Sequence, residues 1–272
     1  MNAEASGRWL GQHALAAFGA TLALTLLIVA LLWLMARHQR VVRLVGRMPT
    51  LTWLAPPLLI GFAIVIGTGA LFAELTEAMD ATDSIARFDE ALTAEVASTV
   101  SSATLQAFAI VTRLGNAMTV TALGIVVAAV LLLRKRYLLA IAWIAAVAGN
   151  GAITRLLKDL FERARPVHTH ALIVETSYSF PSGHASGSIV AYGMLTYLLL
   201  GSVPLRWRLP LLLAAVALTA TIAVSRVFLQ VHYASDVAAG LTSGTLWLAV
   251  CIASVEFAGF RSRRPASLRA DQ

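Results

Sequence analysis

Phe180-Pro181-Ser182-Gly183-His184 opens an apolar run that continues to Leu200. A Ser-Gly step exposes backbone N–H groups, and a helix start adds the positive end of its dipole, so the stretch suits an anion such as phosphate. His184 falls on the first turn, in place to give a proton to a group bound there. Alone the five residues say little. Their weight comes from Lys158 and Arg165-Pro166 upstream, and from Ser225-Arg226, His232 and Asp236 downstream.

The chain around them is a membrane sequence. Of 272 residues 58% are hydrophobic and 13% charged, and the mean hydropathy is +0.78. A soluble domain of this size is far more polar. The net charge of +7 does not point to nucleic acid, because 13 of the 21 basic residues lie in short segments beside apolar runs. Those segments are 36–50, 134–137, 201–210 and 257–272, the placement expected of cytoplasmic loops. Cys251 is the single cysteine and reads as a small buried side chain. The run 14–35 is too long for a signal-peptide core and reads as a retained span.

A helical span needs roughly 20 apolar residues. The candidates are 14–35, 52–73, 117–133, 138–157, 184–200, 210–226 and 236–256, an all-α bundle of six to seven spans. Basic loops on the inside place the N-terminus outside and the C-terminus inside. The connection 74–115 has the opposite balance, with seven acidic residues against Arg87 and Arg113. Within it, 100–112 predicts an extracytoplasmic interfacial helix. Gly183/Gly187 and Gly240/Gly244 have small-xxx-small spacing and are assigned to helix packing. Pro56-Pro57 marks a helix start or kink. The expected organisation is an N-terminal transmembrane hairpin with an acidic segment (1–100), a catalytic core (101–256) and a basic cytoplasmic tail (257–272).

With that topology the ends of the last four spans put every unusual polar residue on one side of the membrane. Lys158 and Arg165 are seven apart, two turns along a continuing helix, and can converge on one tetrahedral anion. Arg fits paired oxygens through its fork, and Lys adds a mobile point charge. Pro166 disfavours helix at Arg165. Lys158-Asp159 and Glu162-Arg163 read equally well as surface pairs. His232 and Asp236 are four apart, the spacing at which a carboxylate holds one imidazole nitrogen and leaves the other free to attack. Ionisable residues at membrane depth need partners or a task. A metal site would use His184, His232 and Asp236, but three cations beside them repel a divalent ion and favour an anion. No cofactor is expected.

Lys158-Asp-Leu-Phe-Glu-Arg-Ala-Arg165-Pro166, Pro181-Ser182-Gly183-His184, and Ser225-Arg226 followed by His232 and Asp236 resemble the three signature motifs of the type 2 phosphatidic acid phosphatase superfamily. That family comprises membrane lipid phosphate phosphatases and, as soluble relatives, acid phosphatases and vanadium haloperoxidases. The likeness runs from about Ser101 to Glu256, and Phe88-Asp89 with 112–115 looks like the family's lead-in. Seven spans depart from the six usual in its membrane members.

The resemblance implies a metal-independent phosphatase. His232 would attack phosphorus, Asp236 would orient it, and His184 would protonate the leaving oxygen. Lys158, Arg165, Arg226, Ser182 and Gly183 would bind the phosphoryl oxygens. Ser225 reads as an auxiliary hydrogen-bond donor or a helix-end residue. His168, His170 and Glu175 read as solvated loop residues, and His13 and His38 as interfacial ones. The expected substrate is a lipid phosphate or diphosphate (undecaprenyl diphosphate, phosphatidylglycerol phosphate or phosphatidic acid), met at the extracytoplasmic face of a bacterial-type inner membrane. Membrane lipids are the expected surroundings, with no nucleic acid and no obligate protein partner. The attack by His232 would form a phosphohistidine, an intermediate that a phosphotransferase would share. A transporter would place its charges near the bilayer midplane instead.

Overall fold

Apolar runs separated by short polar breaks dictate helices, and helices are what the chain forms. The computed structural model describes residues 2–37, 67, 69–72, 74, 83–166 and 175–262, all helix, turn or coil with no strand among them. In order these are α1 (Ala3–Gln12), α2 (Ala14–Arg37), α3 (Asp83–Thr99), α4 (Ser102–Val111), a 3₁₀ turn (Thr112–Gly115), α5 (Ala117–Leu133), α6 (Tyr137–Phe161), α7 (Gly183–Leu200), α8 (Leu205–Phe228) and α9 (Ala234–Ser262).

Among the described residues, five stretches are long and apolar enough to cross a membrane: Ala14–Met35, Ser102–Leu133, Tyr137–Phe161, Leu205–Phe228 and Ala234–Ala258. Helix α7 is not among them. It carries Ser182 at its cap, His184, Ser186 and Ser188 near its start, and it is enclosed by α6, α8 and α9. The expected span 52–73 and Pro56-Pro57 lie largely or wholly outside the described residues, as do His38, His168, His170 and most of the basic tail. Helix α4 covers most of the segment 100–112 expected to lie at the interface, and its Leu105 and Phe108 are buried against Leu92, Val96 and Phe228. It packs against α8 and is joined to α5 through the 3₁₀ turn.

Among the described residues, two larger apolar clusters and a small one around Ala185, Ala223 and Val237 hold the bundle. One joins α3, α4 and the end of α8 through Leu92, Val96, Phe108 and Phe228, with the Phe108 and Phe228 rings stacked at 4.6 Å. The other joins α6, α7 and α9 through Trp143, Met194 and Cys251. Buried indoles need a partner for their N–H. Trp143 donates to the Gly124 carbonyl (2.8 Å) and Trp247 to that of Ala146 (3.0 Å).

Glycine decides the contact of α9 with α7. A Cβ on Gly240 would stand 2.5 Å from the Ser182 carbonyl oxygen, and one on Gly244 would meet Ser186 Cα at 2.9 Å. Gly183 and Gly187 have room for a side chain, so the packing role belongs to the α9 pair alone.

Candidate active site

Helix α6 stops four residues earlier than Pro166 alone suggests. Glu162 takes a left-handed conformation (φ 45°), and its N–H donates to the Lys158 carbonyl (3.0 Å). A left-handed residue at this position is an ordinary way to end a helix. Lys158 therefore sits on the last turn, while Arg165 follows in coil rather than on the same helical face. The two still converge. Lys158 Nζ donates to the Tyr178 carbonyl, and Arg165 donates to the carbonyls of Ser177 (2.7 Å) and Tyr178 (3.2 Å).

The sequence leading into α7 positions His184. The Ser182 hydroxyl caps the helix by accepting from the Ala185 N–H, and the Ser182 N–H donates to the Asp236 carbonyl (2.9 Å). That hydroxyl is fully buried, with its direction fixed by the cap. His184 Nε2 lies 2.7 Å from Asn116 Oδ1, at the start of α5, so Asn116 sets the ring's orientation.

A tight loop between α8 and α9 sets the third part. The N–H groups of Val231 and His232 both donate to the Arg226 carbonyl (3.1 and 3.2 Å), and Gln230 is left-handed at φ 55°. His232 thus precedes α9 instead of lying on it. Asp236, in the first turn, still reaches it. The Oδ2 of Asp236 lies 3.5 Å from His232 Nδ1 and accepts from the Tyr233 N–H (2.9 Å) and the Ser179 hydroxyl. Nε2 of His232 faces the other way, 3.2 Å from Arg165 Nη1. Burial, opposed by Asp236, drives the His232 pKa down to about 4, so the imidazole is neutral at ordinary pH.

Arg226 is wholly buried. It donates to Thr112 Oγ1 (3.1 Å) and pairs with Glu175 Oε1 (2.6 Å), while its Nε has no partner among the described residues. Glu175 is therefore an ion-pair partner, not the solvated loop residue expected. Arg163 departs further. Instead of a surface pair with Glu162 it bridges Asp236 Oδ1 (2.5 Å) and Asp89 Oδ2 (3.1 Å), with its guanidinium 4.5 Å from the centre of the Tyr233 ring. Burial opposes its charge, but the two carboxylates hold its pKa above the ordinary value. Ser225 donates to the Ile222 carbonyl, the helix-end alternative.

Lys158, Arg165, Glu175, Gly183, His184 and His232 line one cleft of about 810 Å³. Arg226 and Asp236 stand behind it, bonded to its lining residues. An apolar groove of about 750 Å³ beside α2 and α8 is lined by no acidic, basic or histidine residue and is not a site for polar chemistry. Among the described residues, no three His, Cys, Asp or Glu side chains form a metal-ligating group.

Residues 138–260 match the PAP2 superfamily. The matched segment runs from the start of α6 into α9 and includes all eight residues singled out from the motifs. The chain is 32% identical over 96 residues to phosphatidylglycerophosphatase B of Bacillus subtilis, covering 35% of this chain and 47% of that protein. It is 41% identical over 108 residues to decaprenylphosphoryl-5-phosphoribose phosphatase of Mycobacterium tuberculosis, covering 38% and 55%. The chain thus spans about half the length of these curated relatives. The fold is similar to the crystal structure of a transmembrane PAP2 type phosphatidylglycerolphosphate phosphatase from Bacillus subtilis, with a TM-score of 0.67. That match covers 71% of this chain and 96% of that one at 22% identity.

Proposed function

We propose that the protein is a membrane lipid phosphatase that hydrolyses a lipid phosphate or diphosphate through a phosphohistidine. The observation that carries this reading is the orientation of His232. Asp236 engages Nδ1 while Nε2 points toward the guanidinium of Arg165 at the cleft. A carboxylate that fixes one imidazole nitrogen exposes the lone pair of the other as nucleophile.

The steps follow from the positions. Lys158, Arg165 and Arg226 receive the phosphoryl oxygens, on which negative charge gathers as the reaction proceeds. The Gly183 N–H at the start of α7 adds a donor with the helix dipole behind it. Ser182 shapes that turn through its cap and supports the bound phosphate. Nε2 of His232 bonds to phosphorus as the bond to the leaving oxygen breaks, and His184 gives that oxygen a proton. Water then attacks the phosphohistidine, His184 takes a proton from it, and the N–P bond breaks to release inorganic phosphate. No step uses a metal ion, in keeping with a cleft lined by cations.

The cleft sits where α6 and α8 end and α7 and α9 begin. The basic 134–136 turn lies at the other end of α6. That separation supports a reaction on the extracytoplasmic face of a bacterial-type inner membrane, reached by lipids whose head group stands at that interface. The named substrates of the relatives, a glycerolipid phosphate and a polyprenyl phosphoribose, share a phosphomonoester on a lipid anchor. That is the substrate class favoured here.

The test is phosphate release by the purified protein in detergent with excess chelator, from phosphatidylglycerol phosphate, phosphatidic acid and undecaprenyl diphosphate side by side. Turnover that is blocked by vanadate and abolished in His232→Ala supports the reading. Release unchanged in His232→Ala overturns it, and transfer of phosphate to an added alcohol with little free phosphate points to a transferase.

A further inference from the structure

Asp89 lies on α3, well before the matched segment, yet it is 1% exposed and reaches the first turn of α9, beside the loop that carries the proposed nucleophile. Its Oδ1 accepts from the Ser235 N–H (3.2 Å), and its Oδ2 accepts from the Ser235 hydroxyl and from Arg163 Nη2 (3.1 Å). The other arm of Arg163 donates to Ser235 Oγ (2.7 Å) and to Asp236 Oδ1 (2.5 Å). Asp236 is thereby divided. Arg163 holds Oδ1, and Oδ2 remains for Tyr233, Ser179 and His232.

We infer that Asp89 and Arg163 are positioning residues for the proposed reaction, a buried carboxylate and guanidinium that fix which oxygen of Asp236 faces His232 and how much of its charge the imidazole receives. The inference rests on the phosphohistidine reading. A single guanidinium between two carboxylates shares its charge between them. If Asp89 is neutral, the full positive charge falls on Asp236, which then stabilises an imidazolium or phosphohistidine less well. If Arg163 is neutral, Asp236 acts on His232 at full strength but loses the bond that sets its rotation. Asp89 also satisfies the first turn of α9, the turn that carries Asp236, from an element outside the matched segment. The acidic N-terminal part of the chain thus completes the active site.

Two substitutions with opposite charge effects separate positioning from mere support. The full chain in detergent is assayed on short-chain phosphatidic acid. Asp89→Asn is expected to lower kcat about tenfold to a hundredfold, with KM within about twofold, as for other groups that orient a reacting side chain. The acid limb of kcat/KM should move to lower pH in Asp89→Asn and to higher pH in Arg163→Gln. It should return toward its original place in the double variant. The groups that otherwise face His232, namely Lys158, Arg165, Glu175, His184, Arg226 and Asp236, are unchanged in all three. Should Asp89→Asn not accumulate as folded protein, Arg163→Lys gives the same reading. A lysine keeps the charge but cannot span both carboxylates, so kcat falls while the acid limb stays put.

Limbs that coincide in the single variants, or an Arg163→Lys protein with unchanged kcat, overturn the inference. An unsubstituted chain that releases no phosphate from any lipid removes the phosphatase reading itself, a separate result.

Discussion

Arg165 Nη1 stands 3.2 Å from Nε2 of His232, so the cation expected to receive phosphate lies against the proposed nucleophile. Arg165 is anchored on the carbonyls of Ser177, Tyr178 and Val231. Burial lowers its pKa from the ordinary value, but a guanidinium has far to fall before it loses its charge. The fork is held in place before any lipid arrives, which is how preorganised electrostatics contributes to rate.

Glu175 Oε1 pairs with Arg226 Nη2 at 2.6 Å. The phosphoryl group must displace a carboxylate to reach that cation. Glu175→Gln is expected to tighten vanadate inhibition on the order of tenfold, about the worth of one charge-assisted hydrogen bond. Inhibition curves for the two proteins at fixed substrate check it, and equal constants would show that Glu175 does not compete.

The burial of His232 sets a pH dependence. Its pKa is lowered to about 4, against 6.5 for an unperturbed imidazole. Because the folded value is depressed, the neutral form persists as pH falls through 6 and 5, and the nucleophile is lost only near pH 4. The same shift makes the unfolded chain the better proton acceptor between those values, so folding stability also declines as pH falls below 6.5. The acid limb of kcat/KM, measured on a monophosphate and a diphosphate to separate substrate ionisation, should therefore lie well below pH 6.5 for both.

His184→Ala should lose about a hundredfold to ten-thousandfold on alkyl phosphates, the usual contribution of a positioned acid. The loss should shrink on p-nitrophenyl phosphate, whose leaving oxygen needs no proton. Asn116→Ala should show the same substrate pattern in weaker form, since Asn116 acts only on the ring's orientation. Comparing kcat across leaving groups tests both, and uniform losses would remove His184 as the acid.

Gly240→Ala is expected to destabilise the protein by about 1–3 kcal/mol, the usual cost of overpacking. The added methyl meets the Ser182 carbonyl, a backbone atom with no room to yield. Because that carbonyl belongs to the turn before His184, activity should fall alongside thermal stability in detergent. Gly187→Ala, where the same methyl meets nothing nearer than Asn150 Nδ2 at 4.0 Å, is the control.

Much of this site was legible in the sequence because its parts are short motifs at fixed spacing beside apolar runs. Lys158, Arg165, His184, Arg226, His232 and Asp236 announce themselves as ionisable groups at helix ends, and Ser182-Gly183 as a helix start. What could not be read was anything set by contacts between distant elements. Arg163 resembles a surface charge next to Glu162 until α3 brings Asp89 against it. Glu175 resembles a loop acid until Arg226 is found 2.6 Å away. Helix boundaries shifted for a local reason, since Glu162 ends α6 through a left-handed residue that composition does not reveal. Asn116 carried a weak signal, an amide at the cap position between the 3₁₀ turn and α5.

The Arg226 carbonyl takes the N–H groups of both Val231 and His232. The stretch from 226 to 232 therefore works as a ruler, its length dictated by main-chain bonds and its side chains, Phe228, Leu229 and Val231 among them, sunk in the core. A single inserted or deleted residue would displace the imidazole relative to the guanidinium, and no compensating side-chain change elsewhere would bring the pair back into step.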